Sequence, residues 1–302
     1  MQTAKPLLKW AGGKRQLLDI LLAVFPKCHD FKKNRYHEPF IGGGALFFAL
    51  SSIAVQQGFV VQSRGSKPFC IADLNSELVN FYLVVRDRPD DLIRFVIRLS
   101  AKTGKSDFYR VRQSRPTSEV GRAARLLYLN RLCFNGLYRV NSKGVFNVPF
   151  GNYKNPRVAD PLQIRACSLM LRHADIRASH FSGVLKRVRE GDLVYFDPPY
   201  IPLSSTASFS GYSKEGFGES DQRALASLIG DLTDRGVRVM LSNSDTPLSR
   251  EIFGNLNMYS VPASRAISAN SESRIKVKEL LAVNFPPSQM SDPAEVCKLQ
   301  VY

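Results

Sequence analysis

Leu193-Val194-Tyr195-Phe196-Asp197-Pro198-Pro199-Tyr200 is an apolar run that stops on a carboxylate and two prolines. Four consecutive apolar residues ended by a breaker predict a strand buried on both faces. A carboxylate at the carboxyl end of such a strand lies where open α/β sheets gather their ligands. Pro198 has a fixed φ and no N–H, so a carbonyl is its only backbone polar group. Asp197 and Pro198 therefore offer adjacent hydrogen-bond acceptors, suited to the two N–H groups of a conjugated exocyclic amine. Such an amine is a poor nucleophile until its lone pair is localised, and accepting its hydrogens makes methylation of it feasible. Tyr200 adds an aromatic face for a base rotated out of a duplex. The plainer alternative is a strand followed by a diproline turn, with Asp197 capping a helix.

The rest of the chain supplies the setting. Phe69-Cys70-Ile71-Ala72 predicts a strand ending at Asp73, followed by a helix from Asn75. Val237-Arg238-Val239-Met240-Leu241 predicts another, running into Ser242-Asn243-Ser244-Asp245, and Glu279 to Phe285 a closing strand. Leu225, Leu228, Ile229 and Leu232 share one helical face, and Gly236 ends that helix. His37-Glu38-Pro39-Phe40-Ile41-Gly42-Gly43-Gly44 leads into a helical Ala45 to Leu50, and glycines between strand and helix admit a ligand close to the backbone. A simple tight turn is the bland reading. Asp73 can accept hydrogen bonds from ribose hydroxyls, although it lies farther from the glycines than the roughly 20 residues of a dinucleotide fingerprint. The excess falls in Val55 to Lys67, which reads as an inserted hairpin or loop. Leu8-Lys9-Trp10-Ala11-Gly12-Gly13-Lys14 lacks the glycine spacing and Ser/Thr of a phosphate loop, which disfavours a nucleotide triphosphatase.

Alternating strands and helices over residues 1–81 and 166–285 make the fold class α/β. Residues 82–165 differ. They are Arg-rich, aromatic and helical, with a clear helix over Arg122 to Leu132 and an irregular stretch from Phe134 to Tyr153, so they read as an insertion. Residues 286–302 read as a loosely held tail.

Charge narrows the partners. Among 302 residues, 42 Lys plus Arg face 26 Asp plus Glu, a formal net charge of +16. That excess points to a polyanion. No apolar run approaches bilayer length and no signal peptide is apparent, so nucleic acid is favoured over a membrane and the expected location is cytoplasmic, associated with the nucleoid through DNA. The five cysteines are odd in number and widely spaced, and with four histidines they form no zinc pattern, so reduced thiols and no metal are expected. A serine hydrolase has no G-x-S-x-G elbow. Nothing pairs Cys133 with His180, and Asp73 and Asp197 lack the arrangement of a glycosidase.

Taken together, Lys9-Trp10-Ala11-Gly12-Gly13-Lys14, Glu38-Pro39-Phe40-Ile41-Gly42-Gly43-Gly44, Asp73 and Asp197-Pro198-Pro199-Tyr200 resemble, in type and order, the motifs of Dam-type DNA adenine methyltransferases. Tyr128-Leu129-Asn130-Arg131, Asn135-Gly136-Leu137-Tyr138-Arg139 and Gly144 to Gly151 resemble the family's target-recognition segment. Pro202 to Phe209 resembles its DNA-ordered loop, and Ser242 to Thr246 also matches. The likeness spans nearly the whole chain apart from the 55–67 insert and the tail.

The resemblance implies a Rossmann-like S-adenosylmethionine-dependent methyltransferase sheet with an inserted, mainly helical target-recognition domain. It implies that Trp10, Lys14, Phe40, Gly42, Asp73 and Asp197 contact S-adenosylmethionine, and that Asp197, Pro198 and Tyr200 handle a flipped adenine. It further implies that Lys9 and Arg139 read guanines, that Leu137 and Pro149 meet a thymine, and that Phe134 and Asn135 fill the space left by the base. That pattern goes with GATC in double-stranded DNA, and the chemistry agrees, since Lys and Arg suit guanine acceptors and apolar surface suits a thymine methyl. Phe134 stands where the family often has tyrosine, and Asn152 where close relatives are basic. Arg122, Arg125, Arg131, Arg139, Lys143 and Lys154 are expected to grip phosphates. A monomer is the default state, because a palindrome can be methylated one strand at a time. The rivals are a cytosine N4 or RNA adenine methyltransferase, and a non-catalytic DNA-binding relative.

Overall fold

The structure is a computed structural model that describes residues 3–10, 12–59, 67–154, 156–202, 217–263 and 277–301. In chain order the described residues form α1 (Leu18–Val24), β1 (Tyr36–Glu38), α2 (Ala45–Gln56), β2 (Phe69–Asp73), α3 (Ser76–Asp87), α4 (Pro89–Ser100), α5 (Lys105–Gln113) and α6 (Glu119–Leu132). There follow α7 (Pro161–Leu171), β3 (Ala174–Ala178), β4 (Leu193–Phe196), α8 (Glu219–Asp234), β5 (Arg238–Ser244), α9 (Pro247–Ile252), β6 (Asn257–Ala263), β7 (Val277–Val283), α10 (Pro293–Val296) and β8 (Gln300–Val301). The chain makes two compact units. One comprises the described residues up to Gly13 and from Ile41 to Phe181, and the other Lys14–Phe40 with the described residues from Ser182 onward.

In the first unit, β2 and β3 pair in parallel, Phe69 opposite Ala174 and Asp73 opposite Ala178. Asn75 ends the excursion from β2 by accepting hydrogen bonds from the N–H groups of Glu77 (3.0 Å) and Leu78 (3.2 Å), which starts α3 where the sequence predicts a helix. Helices α3, α4 and α6 pack together around Leu78, Phe81, Val85, Leu92, Val96, Ala123, Ala124 and Leu127. Ser118 caps α6, and that helix covers the predicted Arg122 to Leu132. The predicted irregular stretch is a 3-10 turn at Phe134–Gly136 and two facing segments, bridged at Cys133–Phe150 and Val140–Phe146. The expected 55–67 insert is helical through Gln56, and its residues 60–66 lie outside the described ones.

In the second unit the strands run β1-β4-β5-β7-β6-β8. The first three are mutually parallel and the rest antiparallel. All four residues of β4 are buried, as its unbroken apolar sequence requires. The expected closing strand does not close the sheet. As β7 it lies between β5 and β6, and burial of Leu280 to Val283 on both faces accounts for its lack of alternation. Residues 286–301 are not loose either. Met290 is fully buried, the Gln289 carbonyl accepts from Lys27 N–H at 2.9 Å, and β8 pairs with β6. Among the described residues no helix is long and apolar enough to cross a membrane.

Candidate active site

Asp197 sits one residue past the paired end of β4, where Phe196 lies opposite Leu241, so the next residue of β5, Ser242, becomes its lateral neighbour. Ser242 Oγ donates to Asp197 Oδ1 at 2.7 Å and is itself within 2.9 Å of the Tyr195 hydroxyl. Lys14, in the turn before α1 and only 6% exposed, places Nζ 2.7 Å from the same oxygen. Burial raises the Asp197 carboxyl above the ordinary carboxylate range, while Lys14 and Ser242 pull it back down. Among the described residues no donor meets Oδ2. The Asp197 side chain caps no described helix, so the helix-cap alternative does not apply.

The two prolines behave differently. Gln222 of α8 donates to the Pro199 carbonyl at 2.9 Å, and Asn243 of β5 accepts from Ile201 N–H at 3.1 Å while donating to Gln222 at 3.0 Å. This amide pair clamps the turn from two elements. Among the described residues nothing donates to the Pro198 carbonyl. Asp197 Oδ2 and the Pro198 oxygen are thus two acceptors held in place with hydrogen-bonding capacity to spare. Tyr200 donates to Glu279 Oε2 at 2.7 Å, and Lys14 Nζ lies 4.6 Å from the centre of its ring. Phe40 meets Phe196 and Phe217 edge to face, with centroids 6.4 and 5.7 Å apart. These residues all belong to the second unit.

The first unit holds the remaining predicted residues. Asp73 ends β2, and its two oxygens accept from Gly42 N–H at 3.2 Å and Asn75 N–H at 2.9 Å. Burial lifts its carboxyl to about 6 against those bonds. A carboxylate has about four lone-pair sites, so capacity remains for a ribose hydroxyl. Gly42 has φ +45°, and a Cβ there would come within 2.9 Å of Trp10 Cδ1. The glycine loop is therefore bare because an indole packs against it, a reason the sequence did not reveal. Trp10 in turn stacks on Tyr138, centroids 5.1 Å apart and planes at 21°. These residues fit S-adenosylmethionine, with an acidic acceptor and an aromatic surface flanking an open backbone.

The expected base-reading residues are brought together in the same unit. Buried Asn130 bonds the Lys9 N–H (2.8 Å) and carbonyl (2.6 Å) and the Gly136 carbonyl (2.9 Å). Lys9 Nζ lies 4.7 Å over the Tyr153 ring. Phe134 N–H donates to the Pro149 carbonyl at 2.9 Å, and the Phe134 ring is 50% exposed, unusual for a large apolar group. Asn135 and Pro149 are exposed, Leu137 is half-buried, and exposed Arg139 bonds Asn147 Oδ1 at 2.8 Å. Asn152 has φ +51°, a left-handed conformation that asparagine tolerates well and that explains its presence. Arg125 departs from expectation: its guanidinium donates to the Val111 and Arg112 carbonyls, so it is an internal tie and not a phosphate grip. Arg122 pairs with Glu77 at 3.1 Å. Residues 203–209 of the expected DNA-ordered loop lie outside the described residues. Missed by sequence reasoning were Glu279, Gln222 and Tyr82, the last donating to the Gly42 carbonyl at 2.7 Å. A glutamate in a run as apolar as Glu279 to Phe285 was the one available signal.

An α/β architecture that ends one strand on a carboxylate tied to a glycine turn, and another on a clamped Asp-Pro-Pro-Tyr, defines an amino-methyltransferase. The family model of the D12 class N6 adenine-specific DNA methyltransferases matches residues 10–267, and the chain belongs to that family. It is 41% identical over 289 residues to the Type II methyltransferase M1.LlaDCHI of Lactococcus lactis subsp. cremoris, covering 93% of this chain and 95% of that one. It is 37% identical over 288 residues to the DNA adenine methylase of Serratia marcescens (94% and 99% covered). With the DNA adenine methylase of Escherichia coli K12 it shares 33% identity over 290 residues (95% and 97% covered). Membership implies S-adenosylmethionine as methyl donor and DNA as substrate, and it weighs against the cytosine, RNA and non-catalytic readings.

Proposed function

We propose that this chain methylates N6 of an adenine turned out of double-stranded DNA within GATC. The observation that carries the chemistry is the pair of acceptors with spare capacity, Asp197 Oδ2 and the Pro198 carbonyl, beside the Tyr200 ring. In this reading each acceptor would take one N–H of the target amine, which localises the nitrogen lone pair for attack on a methyl donor, and the proton shed by the methylated nitrogen would leave along one of these hydrogen bonds. S-adenosylmethionine, when bound, supplies an electrophilic methyl on a sulfonium leaving group, so no covalent enzyme intermediate is needed. Trp10, Lys14, Phe40, Gly42, Asp73 and Asp197 are the proposed cofactor contacts. The Lys14 and Ser242 contacts on Oδ1 oppose the rise that burial imposes on the Asp197 carboxyl and aim its other oxygen.

Residues 82–165 serve as the target-recognition region, and residues 1–81 and 166–285 carry the cofactor and the chemistry. Lys9 and Arg139 read guanine, Leu137 and Pro149 face the thymine methyl, and Phe134 with Asn135 occupies the vacated stack. The exposed Phe134 ring and the shared platform of residues 134–139 and 149 support that reading, as does the net charge of +16. A monomer acting on one strand at a time suffices.

The test is to express the chain in a host without adenine methylation and sequence the modified positions. Methyl groups at GATC are expected, and Asp197→Ala should lower kcat by at least about a hundredfold. Methylation at another site would overturn the sequence assignment, and a fully active Asp197→Ala would overturn the chemistry.

A further inference from the structure

Glu279 is out of place in β7, where the following four residues are apolar and buried. It is 7% exposed, and its backbone is paired on both sides, opposite Ser244 of β5 and Val261 of β6. Burying a carboxyl group there is costly unless it is hydrogen-bonded. It accepts the Tyr200 hydroxyl at 2.7 Å. Conjugation keeps a phenolic O–H in the plane of its ring, so the position of the acceptor selects the ring plane as well as the ring axis. Tyr200 itself lies in a turn beyond the end of β4, where no strand pairing fixes it. Glu279 has the opposite situation, an interior strand held from two sides. The contact therefore transfers the rigidity of the sheet centre to an aromatic ring outside it.

We propose that Glu279 is a positioning residue for methyl transfer: its carboxylate fixes the Tyr200 ring in the orientation against which the target base stacks. Stacking depends on ring offset and tilt, so a freed ring receives the base less well. This role rests on the reading of Tyr200 as the stacking platform, and it assigns Glu279 no contact with substrate.

The experiment combines steady-state kinetics on a GATC duplex with the fluorescence of 2-aminopurine at the target position. It compares Glu279→Ala, Glu279→Gln, Tyr200→Phe and the Tyr200→Phe/Glu279→Ala double variant. Glu279→Ala should lose about tenfold in kcat/KM, the size of one charge-assisted hydrogen bond, and should change the 2-aminopurine signal. Glutamine still presents an acceptor oxygen and should recover most of the loss. Tyr200→Phe lacks the hydroxyl, so removing Glu279 from it should cost nothing more. Additive losses in the double variant, or a wild-type-like Glu279→Ala, would overturn the role. Binding of S-adenosylhomocysteine by each variant checks that it is folded, and Glu279→Gln keeps the shape should alanine fail that check. A wild-type chain inert on every adenine-containing duplex would defeat the functional reading itself, an outcome distinct from additivity.

Discussion

At residue scale the proposed chemistry turns on Asp197, a half-buried carboxyl whose proton affinity is a balance. Burial raises its pKa, and Lys14 and Ser242 hold the rise in check. An acceptor of amine hydrogens must be ionised, so activity should fall as pH drops through that raised pKa. Lys14→Met removes the main opposing influence and should move the acid limb of the kcat/KM profile to higher pH. An unmoved limb would mean that the 2.7 Å pair does not control Asp197. Asp197, Pro198 and Tyr200 stood out as candidates in the sequence because four adjacent residues carry their own chemistry. Glu279 was not, since its partner stands 79 positions away and only strand pairing brings the two together.

At the scale of elements, the strands most readable in the sequence were the buried ones, β2, β4 and β5, with α6 and α8 marked by periodicity and caps. β6 escaped because Asn257-Met258-Tyr259-Ser260-Val261-Pro262-Ala263 mixes polar residues with a proline, and three-residue β1 is too short for a periodic signal. The turn at Phe134–Gly136 is the element most open to test. Gly136 has φ +65°, and a Cβ there would collide with Lys9 Cβ. Gly136→Ala should cost about 1–3 kcal/mol of stability and push Lys9 off its place. Fluorescence anisotropy with a GATC duplex should show a larger loss of affinity than calorimetry with S-adenosylhomocysteine. Equal losses would separate Lys9 from sequence reading.

For the molecule as a whole, acid sensitivity has an identifiable source away from the proposed chemistry. His29 packs against Phe25 and Phe31, centroids 5.4 and 4.7 Å away, and neither ring nitrogen has a hydrogen-bond partner among the described residues. Burial, with help from Arg238, lowers its pKa from 6.5 to about 4. The neutral form is favoured on folding, so its contribution is complete above pH 6.5 and is lost as pH falls toward 4. Asp73 and Asp197 act in the opposite sense, because raised carboxyl pKa values favour the folded state on acidification. The difference between wild type and His29→Phe isolates the histidine. Denaturant titrations at pH 7 and pH 4.5 should show the wild type losing up to about 3 kcal/mol more than the variant. Equal losses would clear His29. The placement of β7 also bears on how the chain is made. Residues 277–283 supply the partner for both β5 and β6, yet they are synthesised after both. Until then β5 has an unpaired edge, so the growing chain is prone to sticking to its neighbours, and a message truncated before codon 277 would yield a chain open to aggregation.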